Sequence, residues 1–218
     1  AVTVAVPQRP RFGVISDLDD TVLRTDARNL LRMGREVLFG NVHTRMPFPG
    51  VGAFYRALQG AAAPGWNPIF YVSSSPWNLY DLLAEFLRLH GIPAGPMALR
   101  DWGLSKAELL PLGHRTHKRA AIDDILDMFP DLPFILVGDS GQEDPEIYRE
   151  LIHDRPGRIL AVYIRSVVQA PLRIEQVGAL AREIAESHAD LGDAAPELIL
   201  VEDTLAAARH AAGRGWID

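Results

Sequence analysis

The chain has 218 residues, of which 48% are hydrophobic and 23% charged, with no cysteine and a formal net charge of −6 at neutral pH. This composition is that of an ordinary globular protein, so it excludes disordered and collagen-like chains, and the lack of cysteine excludes disulfides and thiolate chemistry. The acidic balance argues against a broad phosphate-neutralising surface, and we predict no nucleic-acid partner.

Short apolar runs rich in β-branched residues recur along the chain. Because each run is continuous rather than alternating, it indicates a strand covered on both faces, as in a parallel sheet. In chain order, the predicted strands are Phe12–Ser16, Ile69–Ser73, Phe134–Gly138, Ile159–Ile164 and Leu198–Val201.

Helical patterns separate these strands, and several have recognisable ends. Pro76 precedes a helical pattern that Gly91 ends, and Thr116 is a candidate N-cap for a helix that Pro130 ends. Alternating strands and helices predict an α/β, Rossmann-like fold with a doubly wound, mainly parallel sheet, which we interpret as a single domain over residues 1–218. The predicted helices are Val51–Gln59, Trp77–His90, Thr116–Phe129, Glu143–Ile152, Leu172–Ser187 and Thr204–Ala212.

Carboxylates and hydroxyls follow three of the predicted strands directly. The first strand leads into SDLDDT at residues 16–21, the second into SSS at 73–75, and the third into GDSGQED at 138–144. In doubly wound folds, ligands bind beyond the carboxyl ends of the strands. The sequence therefore predicts one polar site at this edge of the sheet.

Asp17, Asp19 and Asp20 place three carboxylates in four consecutive residues directly after a buried strand. Like charges this close destabilise each other unless a cation compensates, and Mg²⁺ is a hard ion that takes carboxylates and also binds phosphate. Asp139 ends another strand beside a glycine and is a candidate further ligand. An acidic turn or helix cap is the alternative interpretation of both groups.

Two further positions suit a phosphate ligand. Ser73 and the amides that follow it before Pro76 form a hydroxyl and N–H cluster at a helix start, which suits an anion. The chain uses 20 Arg but only two Lys, so Lys118 marks a position where a compact ammonium is preferred. A solvated surface lysine is the alternative for Lys118 and is our interpretation of Lys106.

These pieces, in the order DxDxT, Ser, Lys and GDxxxxD, resemble the haloacid dehalogenase (HAD) superfamily of phosphohydrolases. From Phe12 to about Val167, the stretches GVISDLDDTV, FYVSSSPWNLY and FILVGDSGQEDPEIY are similar to the App1-type phosphatidate phosphatase family, which is related to the catalytic domain of lipins. The resemblance implies Mg²⁺-dependent hydrolysis of a phosphomonoester on a Rossmann-like domain.

The resemblance also implies catalytic roles for four residues. Asp17 would be the nucleophile that forms an aspartyl-phosphate. Asp19 would be the general acid that protonates the leaving oxygen and later the base that activates water. Ser73 would hold the transferring phosphoryl group, and Lys118 would screen its charge. Phosphoryl transfer needs this combination of in-line positioning and neutralised oxygens.

A Mg²⁺ site is implied by the same resemblance. Its ligands would be Asp17, Asp19 through its backbone carbonyl, Asp139 and Asp144. Both Glu143 and Asp144 fit the last position, and Asp144 is preferred, acting through water or by orienting Lys118.

The segment at residues 28–49 has room for only a flap or a small cap over the site. This predicts an open site and a substrate that is itself bulky. Arginines there are interleaved with apolar residues, a mixture suited to an anionic headgroup and acyl chains. An ordinary amphipathic helix packed on the core is the alternative. The candidate substrate-binding residues are Thr21, Ser74, Arg28, Arg32 and Arg35.

The leading hypothesis is a phosphatase for phosphatidate or a related lipid phosphate. The alternatives are a HAD phosphatase for a soluble ester or a protein phosphosite, and a noncatalytic phosphatidate-binding module. The presence of both Asp17 and Asp19 argues against the module, because binding alone needs no pair of nucleophile and acid.

The predicted location is cytoplasmic with peripheral membrane contact. The first residues show no signal-peptide pattern, and the longest uncharged stretch, Ala57–Tyr80, contains three prolines and is therefore no membrane span. The sequence assigns no role to the predicted αβα extension at about 172–218.

Overall fold

A six-stranded parallel sheet organises the computed structural model, which describes residues 9–22, 46–60, 66–100, 112–168 and 170–218. The strands are β1 Gly13–Asp17, β2 Ile69–Pro76, β3 Met97–Arg100, β4 Phe134–Asp139, β5 Ile159–Arg165 and β6 Glu197–Val201. Their order in the sheet is β3-β2-β1-β4-β5-β6, and each neighbouring pair is parallel. The predicted α/β, doubly wound architecture is confirmed.

Helices flank this sheet on both faces. In the described ranges they are α1 Val51–Gln59, α2 Tyr80–Leu89, α3 Leu112–Met128, α4 Asp144–Asp154, α5 Pro171–Ser187 and α6 Thr204–Gly213, with 3₁₀ turns at Trp77–Leu79 and Ala189–Ala194. Apolar residues of α1, α2 and α6 pack in one cluster with Val14, whereas those of α3, α4 and α5 pack in a second cluster with Ile15. Since successive strand residues point to opposite faces, one short apolar run supplies both cores.

The strand order reverses between β1 and β4. The chain adds β2 and β3 on one side of β1, and adds β4, β5 and β6 on the other. A crevice opens beyond the carboxyl ends of the strands at such a point, because the two connections leave in opposite directions. Ser16 pairs with Val137, and Asp17 pairs with Val72, so the polar residues that follow β1, β2 and β4 meet at this crevice.

Apart from shifts of one or two residues at the ends of elements, the structure differs from the prediction at three places. Strand β3 is absent from the prediction because only four residues form it, and its place depends on pairing with β2. The Thr116 N-cap is wrong, because α3 begins earlier, at Leu112. Strand β2 continues to Pro76, which pairs with Arg100, so the following α-helix begins at Tyr80 rather than at Trp77.

The flap lies mostly outside the described ranges, and so do Arg28, Arg32 and Arg35. Within those ranges, none of the helices has the length and apolar content needed to cross a bilayer.

Candidate active site

Asp17 lies at the end of β1 with its side chain buried. Its Oδ1 is 2.9 Å from Lys118 Nζ, and the Thr21 hydroxyl lies 3.3 Å from its Oδ2. Burial raises the pKa of Asp17 well above its ordinary value; Lys118 opposes this rise, and the neighbouring carboxylates add to it. A carboxylate here is therefore costly unless a positive charge accompanies it.

The turn after β1 separates the side chains of the DLDDT segment. Asp20 has a φ of 55°, the one non-glycine residue with positive φ in the described ranges. The N–H of Val22 donates to the carbonyl of Leu18 over 3.1 Å, which closes one helical turn. This turn carries Thr21 back to Asp17 and leaves Asp19 facing the end of β2.

Lys118 lies in α3 and is 3% exposed. Its ammonium pairs with two buried carboxylates, those of Asp17 and Asp144. Burial alone would lower the pKa of Lys118, but the two carboxylates outweigh it and raise that pKa. The lysine is therefore a buried, permanently charged member of the site rather than a solvated surface residue.

An acidic trio of Asp17, Asp139 and Asp144 lies around this ammonium, with one carboxylate oxygen from each residue within 4.8 Å of the others. Asp139 Oδ1 accepts hydrogen bonds from the amides of Gly141 at 2.6 Å and Gln142 at 3.1 Å. Burial, with Asp144 nearby, raises the pKa of Asp139 to about 7. Oδ2 of Asp139 is buried and has no hydrogen-bond partner among the described residues.

The trio fits a divalent cation with oxygen ligands. Three carboxylates and the one ammonium of Lys118 leave a formal charge of −2 in a buried space. The Oδ2 atom of Asp139, which has no hydrogen-bond partner among the described residues, is available as a ligand atom. Hard ions such as Mg²⁺ take this kind of donor, and a charge of +2 would neutralise the cluster.

The structure distinguishes the two acids of the QED segment. Asp144 is buried, contacts Lys118 through Oδ1, and accepts the N–H of Asp139 on Oδ2 at 3.2 Å. Glu143 is exposed, and its carboxylate lies 3.4 Å from Arg115. A Cβ at Gly138 would lie 2.8 Å from the Cβ of Asp144, so the glycine is what permits this approach.

Asp19 occupies the opposite side of the crevice and is half-buried. Its Oδ2 accepts hydrogen bonds from the hydroxyls of Ser73 at 2.8 Å and Ser75 at 3.1 Å, which joins the ends of β1 and β2. Its carboxylate is not part of the acidic trio. The two aspartates of the DxD segment thus have separate surroundings, one buried with Lys118 and one at the mouth.

Further groups surround this centre. Ser74 lines a cavity of about 290 Å³ together with Lys118, Asp144 and Gln142. His117, which the sequence reasoning missed, forms a hydrogen bond with the backbone of Ser73, and burial, with Arg100 and Lys118 nearby, lowers its pKa. In the sequence, the one feature that could have indicated His117 is its position directly before Lys118. Arg100 was missed because β3, whose end it marks, was missed.

Comparison with known proteins gives the family. Residues 12–166 match the sequence model of the catalytic domain of phosphatidate phosphatase APP1. The phosphatidate phosphatase APP1 of Saccharomyces cerevisiae is 34% identical over 171 residues, which cover 76% of this chain and 28% of that protein. An uncharacterized protein of Schizosaccharomyces pombe is 30% identical over 168 residues, covering 76% of this chain and 27% of the relative. The chain spans little more than a quarter of either relative, and it belongs to the family of phosphatidate phosphatase APP1 catalytic domains.

Proposed function

We propose that this chain is a Mg²⁺-dependent phosphatase of the HAD type that hydrolyses phosphatidate or a related lipid phosphate through an aspartyl-phosphate. The observation that carries the proposal is the convergence of Asp17, Lys118, Asp139 and Asp144 in one buried cluster at the carboxyl edge of the sheet. Membership of the APP1 family supports the reaction class.

Asp17 and Asp139 would hold Mg²⁺ directly, with the carbonyl of Asp19 as a third protein ligand. Mg²⁺, when bound, supplies positive charge that neutralises the cluster and binds a phosphate oxygen. Both oxygens of Asp144 already have partners, Lys118 and the amide of Asp139. Asp144 would therefore act through a water molecule and by orienting the lysine.

Asp17 would attack the phosphorus atom in line with the leaving oxygen. A carboxylate oxygen of Asp17 forms the new bond to phosphorus while the ester bond breaks, which yields an aspartyl-phosphate and an alcohol. Lys118, 2.9 Å from Oδ1, would stabilise the negative charge on the transferring group. Thr21 would keep the carboxylate in its rotamer through its contact with Oδ2.

Asp19 would transfer the protons. It would donate a proton to the leaving oxygen and then take one from the water that hydrolyses the aspartyl-phosphate, which restores both aspartates. Its half-buried place beside the serines of β2 suits this exchange with substrate and water. Ser73 would move its hydrogen bond from Asp19 to a phosphoryl oxygen when substrate binds, and Ser75 would stay on the carboxylate.

Exposed apolar side chains along the carboxyl edge of the sheet support the lipid part of the proposal. Trp77 follows β2 and is 51% exposed, and Leu172 and Leu205, in the first turns of α5 and α6, are 67% and 55% exposed. Each lies where a helix starts at the carboxyl edge of the sheet. Exposed apolar and aromatic residues on the same edge of the sheet as the site suit a phosphate presented at a lipid interface.

The test compares purified wild type with Asp17→Asn on phosphatidate in mixed micelles and on a soluble aryl phosphate, with and without Mg²⁺. Asp17→Asn should reduce turnover by at least about 10³-fold, because an amide is a very poor nucleophile. Asp190→Asn, an exposed change in the turn before β6, should match wild type.

Three outcomes would count against parts of the proposal. Turnover by folded Asp17→Asn at the wild-type rate would reject the aspartyl-phosphate mechanism. Full activity in chelator would reject the metal. A wide preference for the soluble ester would reject the lipid substrate alone.

A further inference from the structure

We propose that Arg173 is a positioning residue for the cation site, in that it fixes the loop that carries Asp139; this inference rests on the proposed function. Arg173 is the third residue of α5 and lies beyond residues 12–166, the part of the chain that matches the family. It belongs to the segment to which the sequence assigns no role.

The guanidinium of Arg173 contacts the loop after β4 at two points and the start of α4 at a third. Its Nε donates to the carbonyl of Ser140 at 2.7 Å, and its Nη2 donates to the carbonyl of Gln142 at 2.7 Å. The same group forms a two-point ion pair with Glu146 in the first turn of α4, at 2.5 and 3.0 Å. The Arg173 side chain is 19% exposed, so these contacts are largely shielded from water.

The contact with Ser140 also determines the direction of a hydrogen bond to Asp139. In a planar trans peptide, the C=O and the N–H of one unit point in opposite directions. The carbonyl of Ser140 and the N–H of Gly141 belong to the same unit. When Arg173 holds the carbonyl on one side, the N–H must point to the other, where it donates to Asp139 Oδ1 at 2.6 Å.

This hydrogen bond then orients the remaining carboxylate oxygen of Asp139. Oδ1 is occupied by the amides of Gly141 and Gln142. Oδ2, which has no hydrogen-bond partner among the described residues, is left for a ligand. Such outer contacts commonly fix the orientation of metal ligands, and removing one typically reduces metal affinity by roughly 10–100-fold.

The loop has little freedom to compensate for the loss of Arg173. The Ser140 hydroxyl accepts the N–H groups of Val167 at 3.1 Å and Val168 at 3.4 Å. A Cβ added at Gly141 would lie 3.0 Å from Asp139 Oδ1 and 3.2 Å from a Val167 methyl. A displaced loop would therefore carry the Asp139 carboxylate with it.

A structural ion pair between α4 and α5 is the competing explanation. The pair of Arg149 with Glu183, at 3.6 Å, also links these two helices, and partly exposed pairs contribute little to stability. The two explanations differ in which contacts of Arg173 give it its role. Positioning depends on the bonds from Arg173 to the two carbonyls, whereas a structural link depends on Glu146.

The experiment measures Mn²⁺ binding to the full chain by electron paramagnetic resonance of the free ion, since Mn²⁺ takes the same oxygen ligands as Mg²⁺. Arg173→Met should raise the dissociation constant by roughly 10–100-fold. Arg173→Lys should give a smaller but clear loss, because a single ammonium keeps the charge near Glu146 but lacks the planar fork for two carbonyls. Glu146→Gln should lose less than Arg173→Lys, and exposed Arg182→Met, also on α5, should bind as wild type does.

Each result bears on the proposal. Wild-type Mn²⁺ affinity in folded Arg173→Met, even with a lower melting temperature, would overturn it and leave a structural ion pair. If Arg173→Met does not fold, a loss in Glu146→Gln equal to that in Arg173→Lys would overturn it. Failure of wild type to bind Mn²⁺ would reject both the proposed metal and this inference. If wild type binds Mn²⁺ and the Arg173 and Glu146 variants keep its turnover and its Mn²⁺ affinity, the inference alone is rejected.

Discussion

Replacing Asp17 with asparagine should stabilise the metal-free protein while it stops turnover. Asparagine has nearly the same shape as aspartate but carries no charge. The cluster of three carboxylates and one ammonium would change from a formal charge of −2 to −1. Lys118 would keep Asp144 as a partner, so no buried ammonium would be left alone.

The magnitude follows from the distances. At an effective dielectric constant of about 20, two like charges within 4.8 Å of each other repel by about 3.5 kcal/mol or more. On the same scale, the attraction between Asp17 and Lys118 at 2.9 Å is about 6 kcal/mol. Asp17 is repelled by two carboxylates, those of Asp139 and Asp144, and together they offset its attraction to Lys118. The cost of burying the Asp17 carboxylate then remains. We expect a gain of about 2 kcal/mol in unfolding free energy, which corresponds to roughly 4–8 °C in melting temperature.

The assay is thermal and urea unfolding in chelator and again in saturating Mg²⁺. The gain should shrink in Mg²⁺, because the cation compensates the charge in wild type. Asp123→Asn is the matched control, since it removes ion pairs with Arg119 at 2.7 Å and Arg155 at 2.9 Å on the surface of α3. That change should reduce stability by about 1 kcal/mol or less. A lower melting temperature for metal-free Asp17→Asn, or a gain that persists in full in Mg²⁺, would refute the reasoning.

The remaining predictions concern the metal, the glycine of β4 and the flap. Chelation should abolish turnover and Mg²⁺ should restore it, whereas Ca²⁺ should inhibit, because its longer bonds and higher coordination number misplace the attacking carboxylate. Gly138→Ala should weaken Mn²⁺ binding and cost about 1–3 kcal/mol of stability, because the new methyl would lie 2.8 Å from the Cβ of Asp144. Replacing Arg28 and Arg32 with serine should reduce turnover of phosphatidate in micelles more than turnover of an aryl phosphate, since each arginine near an anionic surface contributes about 1 kcal/mol.

Controls make these comparisons specific. Gly213→Ala, where a Cβ would meet nothing within 4 Å, should have neither effect of Gly138→Ala. Arg88→Ser and Arg209→Ser, both exposed, should leave the ratio of the two substrates unchanged. Equal losses on both substrates in the flap variant would contradict the lipid contact, and activity supported equally by Ca²⁺ would contradict the Mg²⁺ assignment.

The central strands could be predicted because they are buried on both faces. The central strands, such as β1 with all five residues buried, are apolar over most of their length, and that pattern can be recognised without any structure. The place of the site followed from the same fact. Once the strands are parallel, their carboxyl ends share one edge, so Asp17, Ser73 and Asp139 were expected at that edge. They lie near one another because β2, β1 and β4 are neighbours in the sheet.

The charge of the site could also be predicted in part. Two lysines among 22 basic residues singled out Lys118, which the structure places between two buried carboxylates. Its partners could not be read from the sequence, because they come from β1 and α4. Strand β3 could not be predicted for a similar reason. It has only four residues, too few for a recognisable pattern, and its pairing with β2 defines it.

Fold class, the edge that holds the site and the residue types that fill it were thus set by local patterns of the sequence alone. The tertiary structure decided which of two adjacent acids faces inward: Asp144 reaches Lys118 and Glu143 reaches Arg115, because successive residues at the start of α4 point in different directions. It also decided that Arg173 holds the carbonyl of Ser140, 33 residues away, since that contact exists only when α5 packs beside α4. Strand and helix patterns are local properties of the chain, whereas these contacts depend on how separate elements pack.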